Sequence, residues 1–403
     1  MNMHFTLDAV STTALALILL AFGAGLKRRL NWLEHFCVPT PVIGGFGFAL
    51  LAWLLRDLGL VTFELDTAMQ SPLMIAFFTT VGLGGSLALL KKGGKALGIY
   101  LVACWLLALM QNGVGIGMAS LLGLDPLIGL MAGATSLEGG FGAAAAFGPE
   151  AEALGAQGAT TAAIASATFG MIVGGVIGAP IARWIIDRRQ IPVVAEDVHD
   201  LEKLQAEERP TQAPIDSRTL LRVLAVVVPI MVLGVWFKEA LSTHLGVILP
   251  SYVGAMFVAI LLRNLNDRFH WVSMPDNALA TLGDVALGVF LTMAMMNLKI
   301  WQLQEMGGSL LLILLVQTLA IVFLAVVVLF RLLGRNYDAA VLTAGFIGHG
   351  LGATPNAVAN MSAVCEHYRV VSHKAFIIVP LCGAVLIDIV AIPAITWCLN
   401  AFA

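Results

Sequence analysis

Long apolar runs alternate along the chain with short polar stretches. The runs cover residues 9–26, 38–55, 73–90, 97–122 and 160–186, then 219–237, 247–262, 278–297, 310–332 and 375–397. About 20 mostly apolar residues in a helix cover the hydrocarbon of a bilayer, so ten membrane-spanning helices are predicted. Two stretches break the pattern: Gly133-Ala-Thr-Ser-Leu-Glu-Gly-Gly-Phe-Gly-Ala-Ala-Ala-Ala146 and Gly345-Phe-Ile-Gly-His-Gly-Leu-Gly-Ala-Thr-Pro-Asn-Ala357. Both contain Gly-x-Gly-Ala, at Gly140 and at Gly350, and each lies between two apolar runs. They are too interrupted by glycine and polar residues to face lipid, so each is read as a re-entrant hairpin, over about 127–147 and about 338–358.

Between residues 187 and 217 the composition changes to acidic and basic residues with Pro192, Pro210 and Pro214, the signature of a solvated linker. This divides the chain into 1–186, the linker 187–217, and 218–403. The halves echo one another: Phe77-Phe-Thr79 answers Phe290-Leu-Thr292, Met110-Gln-Asn112 answers Val316-Gln-Thr318, and a Gly-x-Gly-Ala run follows in each. Basic residues collect on the cytoplasmic side of a membrane protein. Assigning the 22 Lys and Arg to alternate loops puts positions 56, 238 and 299 on one side and all the rest on the other. Both termini are therefore expected in the periplasm and the linker in the cytoplasm. Two five-helix halves joined on one side of a bilayer have opposite orientations. The expected fold is an all-α polytopic membrane protein of two inverted repeats, each with a re-entrant hairpin between its fourth and fifth helices, an arrangement that secondary transporters use.

Composition strengthens this picture. Mean hydropathy is +0.91, with 59% hydrophobic and 12% charged residues, which leaves little surface for water. Lys27-Arg-Arg29 follows the first apolar run instead of preceding it, so that run is expected to be a retained span and not a cleaved signal. The five cysteines, at 37, 104, 365, 382 and 398, stand singly in apolar surroundings, as small packing residues do. No G-x-S-x-G, Walker A, G-x-G-x-x-G or H-E-x-x-H is present, and nothing points to an enzyme, a resident cofactor or nucleic-acid binding.

Irregular backbone at membrane depth needs a wet cavity or protein around it, so the chemistry is expected at the glycine-rich tips. Free N–H groups at half-helix starts can hold a carboxylate, and free carbonyls at half-helix ends a cation. Glycine also serves close helix packing. Ala162, Ser166, Gly170, Gly174 and Gly178 form such a stripe, expected to pack against the first hairpin. Ionisable residues within spans are costly and point to function, which singles out Asp388 and Glu138. Asp284 is read as a solvated carboxylate near a helix end. Gln111, Asn112, Gln317 and Thr318 precede the hairpins in matching positions, as cation ligands or as interhelical hydrogen-bonding groups. His349 sits in the second tip. No Lys or Arg lies at mid-span, so an anionic substrate would rely on backbone N–H groups, hydroxyls and co-bound ions.

Gly348-His-Gly-Leu-Gly-Ala-Thr-Pro-Asn-Ala357 resembles the signature of the glutamate:sodium symporter family. Pro39-x-Pro-Val-Ile-Gly-Gly45, Met110 to Pro126, Asn336 to Leu342 and Ile387-Asp-Ile-Val390 are similar too, so the resemblance covers nearly the whole chain outside the linker. It implies sodium-coupled uptake of L-glutamate across the bacterial inner membrane, and a homodimer in which a transport domain moves like an elevator. By motif it assigns the substrate and ion role to Gly139, Gly140, Gly142 and Gly350 to Pro355; with the other residues of the tips, substrate contacts are expected at Ser136, Glu138, Gly139, Gly140, Phe141, Gly142, His349, Gly350, Gly352, Thr354 and Asn356. Sodium would be held among Gln111, Asn112, Gln317, Thr318, Thr354 and Asp388. Two departures fall on the tips. The family's usual Ser-Gly-Gly-His-Gly reads Glu138-Gly-Gly-Phe141-Gly here, and its second tip carries His where Phe346 stands and Phe where His349 stands. Glu138 and His349 are therefore expected to pair across the tips. A proton-coupled symporter, or a carrier of another organic anion or amino acid, shares the same fold, and an ion channel with re-entrant filter loops is the reading from another class.

Overall fold

The computed structural model describes residues 3–30, 39–85, 94–193, 215–245, 250–272, 274–352 and 354–402. Cys37, most of the linker, and parts of the runs expected at 38–55, 73–90 and 247–262 lie outside them. The chain is helical almost throughout. Helices α1 (Ala9–Arg29), α2 (Thr40–Asp57), α3 (Gln70–Gly84) and α4 (Gly94–Leu121) precede the first glycine-rich run. That run forms three pieces, α5 (Pro126–Met131), α6 (Ala134–Leu137) and α7 (Gly140–Ala153), and α8 (Ala159–Arg189) closes the first half. The second half contains α9 (Ser217–Leu245), α10 (Ser251–Phe269), α11 (Asp276–Met296) and α12 (Leu303–Phe323), which runs on through a π-helical turn at Leu324–Leu329. The second run forms α13 (Tyr337–Leu351) and α14 (Thr354–Tyr368). Among the described residues, six helices are long and apolar enough to cross a membrane: α1, α4, α8, α9, α11 and α12 with its extension.

Each half opens with the same device. Asp8 and Asp216 cap α1 and α9 by accepting from the backbone N–H of Ser11 at 2.7 Å and of Thr219 at 2.8 Å. Those bonds hold both carboxyls below their ordinary range.

Two features depart from expectation. The final run, 375–397, carries a π-helical turn within its helix: α15 (His373–Leu381) runs on through Cys382–Leu386 into α16 (Asp388–Ala401), and Asp388 stands just after that turn. π-Turns of this kind are frequent at functional sites. In addition, Met3–Leu7 and Val61–Leu65 pair as a short parallel sheet, with Phe5 opposite Phe63 and His4 opposite Thr62. Both segments alternate apolar and polar residues, a period-two signal that the long apolar runs overshadow.

The helices sort into two bodies. The first three helices of each half pack on one another: α3 against α10 and α11, α2 against α1 and α11, and α9 against α10. The remaining helices form the other body: α8 against α7, α13 and α14, and α4 against α5 and α12. Residues matched between the halves meet where the halves meet. The Phe77 and Phe290 rings are 5.8 Å apart, and Gln317 Nε2 donates to Gln111 O at 2.6 Å.

The stripe of α8 lies in the second body, and its three glycines meet the second run. A Cβ on Gly170 would collide with Leu351 O, one on Gly174 would press on Leu351, and one on Gly178 would come within 2.8 Å of Ala344 O. Gly170 also touches the first run, through Leu137, and α5, α6 and α7 of that run all pack on α8. Cys104, Cys365, Cys382 and Cys398 are buried, free thiols.

Candidate functional site

Each glycine-rich run ends a helix and starts another within a few residues. Asp125 caps α5 through the N–H of Leu127, and Pro126 supplies the fixed φ that suits a first helical position. The run then breaks at Ala132–Gly133 and again at Glu138–Gly139, where Gly140 takes φ +58, a backbone conformation that suits glycine. In the second run the chain leaves α13 at Gly352 and restarts at Thr354. The two breaks adjoin: a Cβ on Gly140 would sit 3.5 Å from Gly352 O.

A cavity of about 520 Å³ opens beside them, between the two bodies. One wall comes from the first body, through Pro39 to Pro41, Phe77, Phe78 and the α11 residues Asp284, Leu287, Gly288 and Leu291. The opposite wall is Glu138 to Ala143, Met171, His349, Thr354, Pro355, Gly383, Ile387 and Asp388. Thus Glu138, Gly139, Gly140, Phe141, Gly142, His349, Thr354 and Asp388 come together, although the chain separates the first from the last by 250 residues. The N-terminal ends of α7 and α14 both reach the cavity, and the first N–H groups of any helix lack intrahelical partners.

Charge on the cavity wall is one-sided. Among the described residues it carries three carboxylates, Glu138, Asp284 and Asp388, one imidazole, and no Lys or Arg. Glu138 is 7% exposed and both its oxygens lack a hydrogen-bond partner. The same holds for both ring nitrogens of His349, which is 4% exposed. The two residues share the cavity but form no hydrogen bond with each other, so the expected direct pair is not made. Asp284 is exposed, as expected, but it lies in the interior of α11 and not near its end, and it faces the cavity.

The other expected contacts lie behind the wall. Gln111 Nε2 donates to Gly350 O at 2.7 Å, and Gln317 Nε2 reaches Ala132 O at 3.4 Å as well as Gln111 O. Each glutamine therefore grips the broken run of the opposite half. Asn112 Oδ1 accepts from Ala134 N–H at 3.1 Å, and Asn356 Nδ2 donates to Met171 O at 2.7 Å. Thr318 bonds to Leu314 O within its own helix. Ser136 is fully buried without a partner, and like Gly350 and Gly352 it is not on the cavity wall.

Two contributors escaped the sequence reading. Asn360 donates to Gly174 O at 2.7 Å and accepts from Ala179 N–H at 2.7 Å, beside Pro180 in α8, where the missing N–H loosens the helix. Gly383 lies against Thr354 and His349, where a Cβ would come within 2.6 Å of Thr354 Oγ1. Proline inside α8 and glycine inside the last run were the available signals.

Over nearly its whole length the chain is similar to known proteins of one family. A family model described as "Sodium/glutamate symporter" matches residues 5–370. The sodium/glutamate symporter of Escherichia coli (strain K12) is 40% identical over 388 residues, covering 96% of each chain. The sodium/glutamate symporter of Haemophilus influenzae is 36% identical over 392 residues, again covering 96% of each.

Proposed function

Because the chain belongs to the sodium/glutamate symporter family, we propose that it carries L-glutamate into the cytoplasm together with sodium, by alternating access. The observation that carries this reading is the position of the cavity: it lies between two helical bodies, with both broken-helix tips on one wall. A solute held at the tips can be offered to either side if the tip-bearing body shifts along the other. Such an elevator-like movement needs the tips to travel as a unit, and the crossed bonds of Gln111 and Gln317 support that.

The carboxylates of glutamate accept from the free N–H groups at the starts of α7 and α14, where the helix dipoles also favour negative charge. Sodium takes oxygen ligands, and Asp388 and the Thr354 hydroxyl supply them at the cavity. Gln111, Asn112, Gln317 and Asn356 shape the tips instead of touching the solute. Without Lys or Arg on the wall, co-bound sodium balances the substrate's negative charge.

The contacts Phe77 to Phe290 and Gln317 to Gln111 support an inverted repeat with re-entrant hairpins, since residues matched by a two-fold axis touch one another only close to it. With both termini in the periplasm and 187–217 in the cytoplasm, the first run enters from the periplasm and the second from the cytoplasm. A homodimer joined through the first body leaves the tip-bearing body free to move.

Uptake of labelled L-glutamate into proteoliposomes tests the reading. A sodium gradient is expected to drive accumulation above equilibrium. Accumulation driven only by a proton gradient would overturn sodium coupling, and equilibration without accumulation would favour a channel.

A further inference from the structure

Glu138 is the one acid on the tip-bearing wall that is buried with neither oxygen bonded. It sits at the end of α6, directly before Gly139 and the start of α7. A carboxylate in a low-dielectric site is costly unless a positive group or hydrogen-bond donors meet it. Nothing in the described protein does so: the cavity lacks Lys and Arg, and His349 makes no bond to Glu138. The N-terminal ends of α7 and α14, by contrast, favour negative groups. One wall therefore presents an acceptor in want of a cation next to donors in want of anions. A ligand that complements both carries an ammonium beside a carboxylate, as an α-amino acid does.

We propose that Glu138 is a specificity-determining residue that receives the substrate's α-ammonium group and thereby excludes dicarboxylates that lack an amine. A dicarboxylate without the amine would leave Glu138 unpaired and add a further negative charge near it. Discrimination then comes from repulsion of the wrong solute as well as attraction of the right one. This assignment rests on the transport reading above and adds the group by which the site recognises its solute.

The test uses the full-length protein in proteoliposomes under a sodium gradient. Uptake of labelled L-glutamate is competed with unlabelled L-glutamate and with glutarate, which is the same carbon chain without the amine. Glutarate is expected to compete at least about 100-fold less well than glutamate in the unaltered protein, because a site built around a polar group rejects the analogue lacking it. In Glu138→Gln the KM for glutamate should rise about 10-fold or more, and the preference over glutarate should fall below about 5-fold. Glu138→Asp should recover part of the preference.

Preserved amine preference in Glu138→Gln would overturn the proposal. So would a rise in the half-saturating sodium concentration with the preference intact, since the carboxylate would then serve an ion. If Glu138→Gln does not transport, the preference is read from thermal stabilisation of the purified protein by glutamate against glutarate, with the same two outcomes. If the unaltered protein takes up no glutamate, the proposed function fails first. Amino acids are then compared with their des-amino analogues in the stabilisation assay, and equal stabilisation overturns the role of Glu138 independently.

Discussion

The two helical bodies handle buried polarity in opposite ways. In the body built from α1 to α3 and α9 to α11, most polar side chains bond within their own helices: Thr79 to Ile75 O, Thr80 to Phe77 O and Thr292 to Gly288 O. Asn264 is an exception at one end of that body, where its amide reaches Gly85 O at 2.9 Å. In the body carrying the glycine-rich runs, amides cross between helices, from Gln111, Gln317, Asn356 and Asn360 to backbone on other elements. Asn356 and Asn360 fasten the second run to carbonyls within unbroken α8; for Gln111 and Gln317, which meet carbonyls at the helix breaks, the reason is continuity. An unbroken helix satisfies its own N–H and C=O groups and needs only packing from its neighbours. A helix that stops at membrane depth leaves those groups without water, so side chains must come from elsewhere to meet them. One body is therefore held mainly by shape, and the other by shape and directed bonds beside the cavity.

That contrast can be broken deliberately. The largest effect is expected from Gly170→Val, since the added Cβ meets the Leu351 carbonyl, a backbone group that cannot yield as a flexible side chain would. Overpacking of this kind costs on the order of 3 kcal/mol. Little folded protein should elute as a single peak in size-exclusion chromatography, and a normal yield would show that α8 and α13 can separate. Asn360→Leu removes two bonds to α8 and one to Asn356 O. Interhelical hydrogen bonds in membranes are worth about 0.6 kcal/mol each, so loss of the two to α8 is expected to cost about 1 kcal/mol in SDS-induced unfolding. Thr292→Val makes the comparison from the other side. Its hydroxyl bonds only to its own helix, and the change should fall within about 0.5 kcal/mol. If Thr292→Val proved as damaging as Asn360→Leu, the two bodies would not differ in the way described.

Legibility in the sequence follows the same division. Helix positions and the two broken runs were readable, because hydropathy and glycine content are local properties. Glu138, His349 and Asp388 stood out because ionisable groups are conspicuous against an apolar background. Asn360 did not stand out, because its role depends on α8, in the other half of the chain. The π-helical turn at Cys382–Leu386 was hidden for a different reason: Pro380, Gly383 and Pro393 sit in a run apolar enough to read as one regular span.

The sequence by itself determined that this is a helical membrane protein with two broken segments, and its motifs pointed to the family. Tertiary structure alone decided which of the conspicuous residues share a cavity and which only fasten its walls. Gln111 and Glu138 were both candidates along the chain, yet one bonds backbone and the other lines the cavity with its oxygens unpartnered. The cause is physical. Burial of apolar surface depends on composition over short stretches, whereas a binding site needs groups from distant segments to converge. Here the convergence is set by glycine contacts and amide bonds that join α8 to the second run and each half to the other.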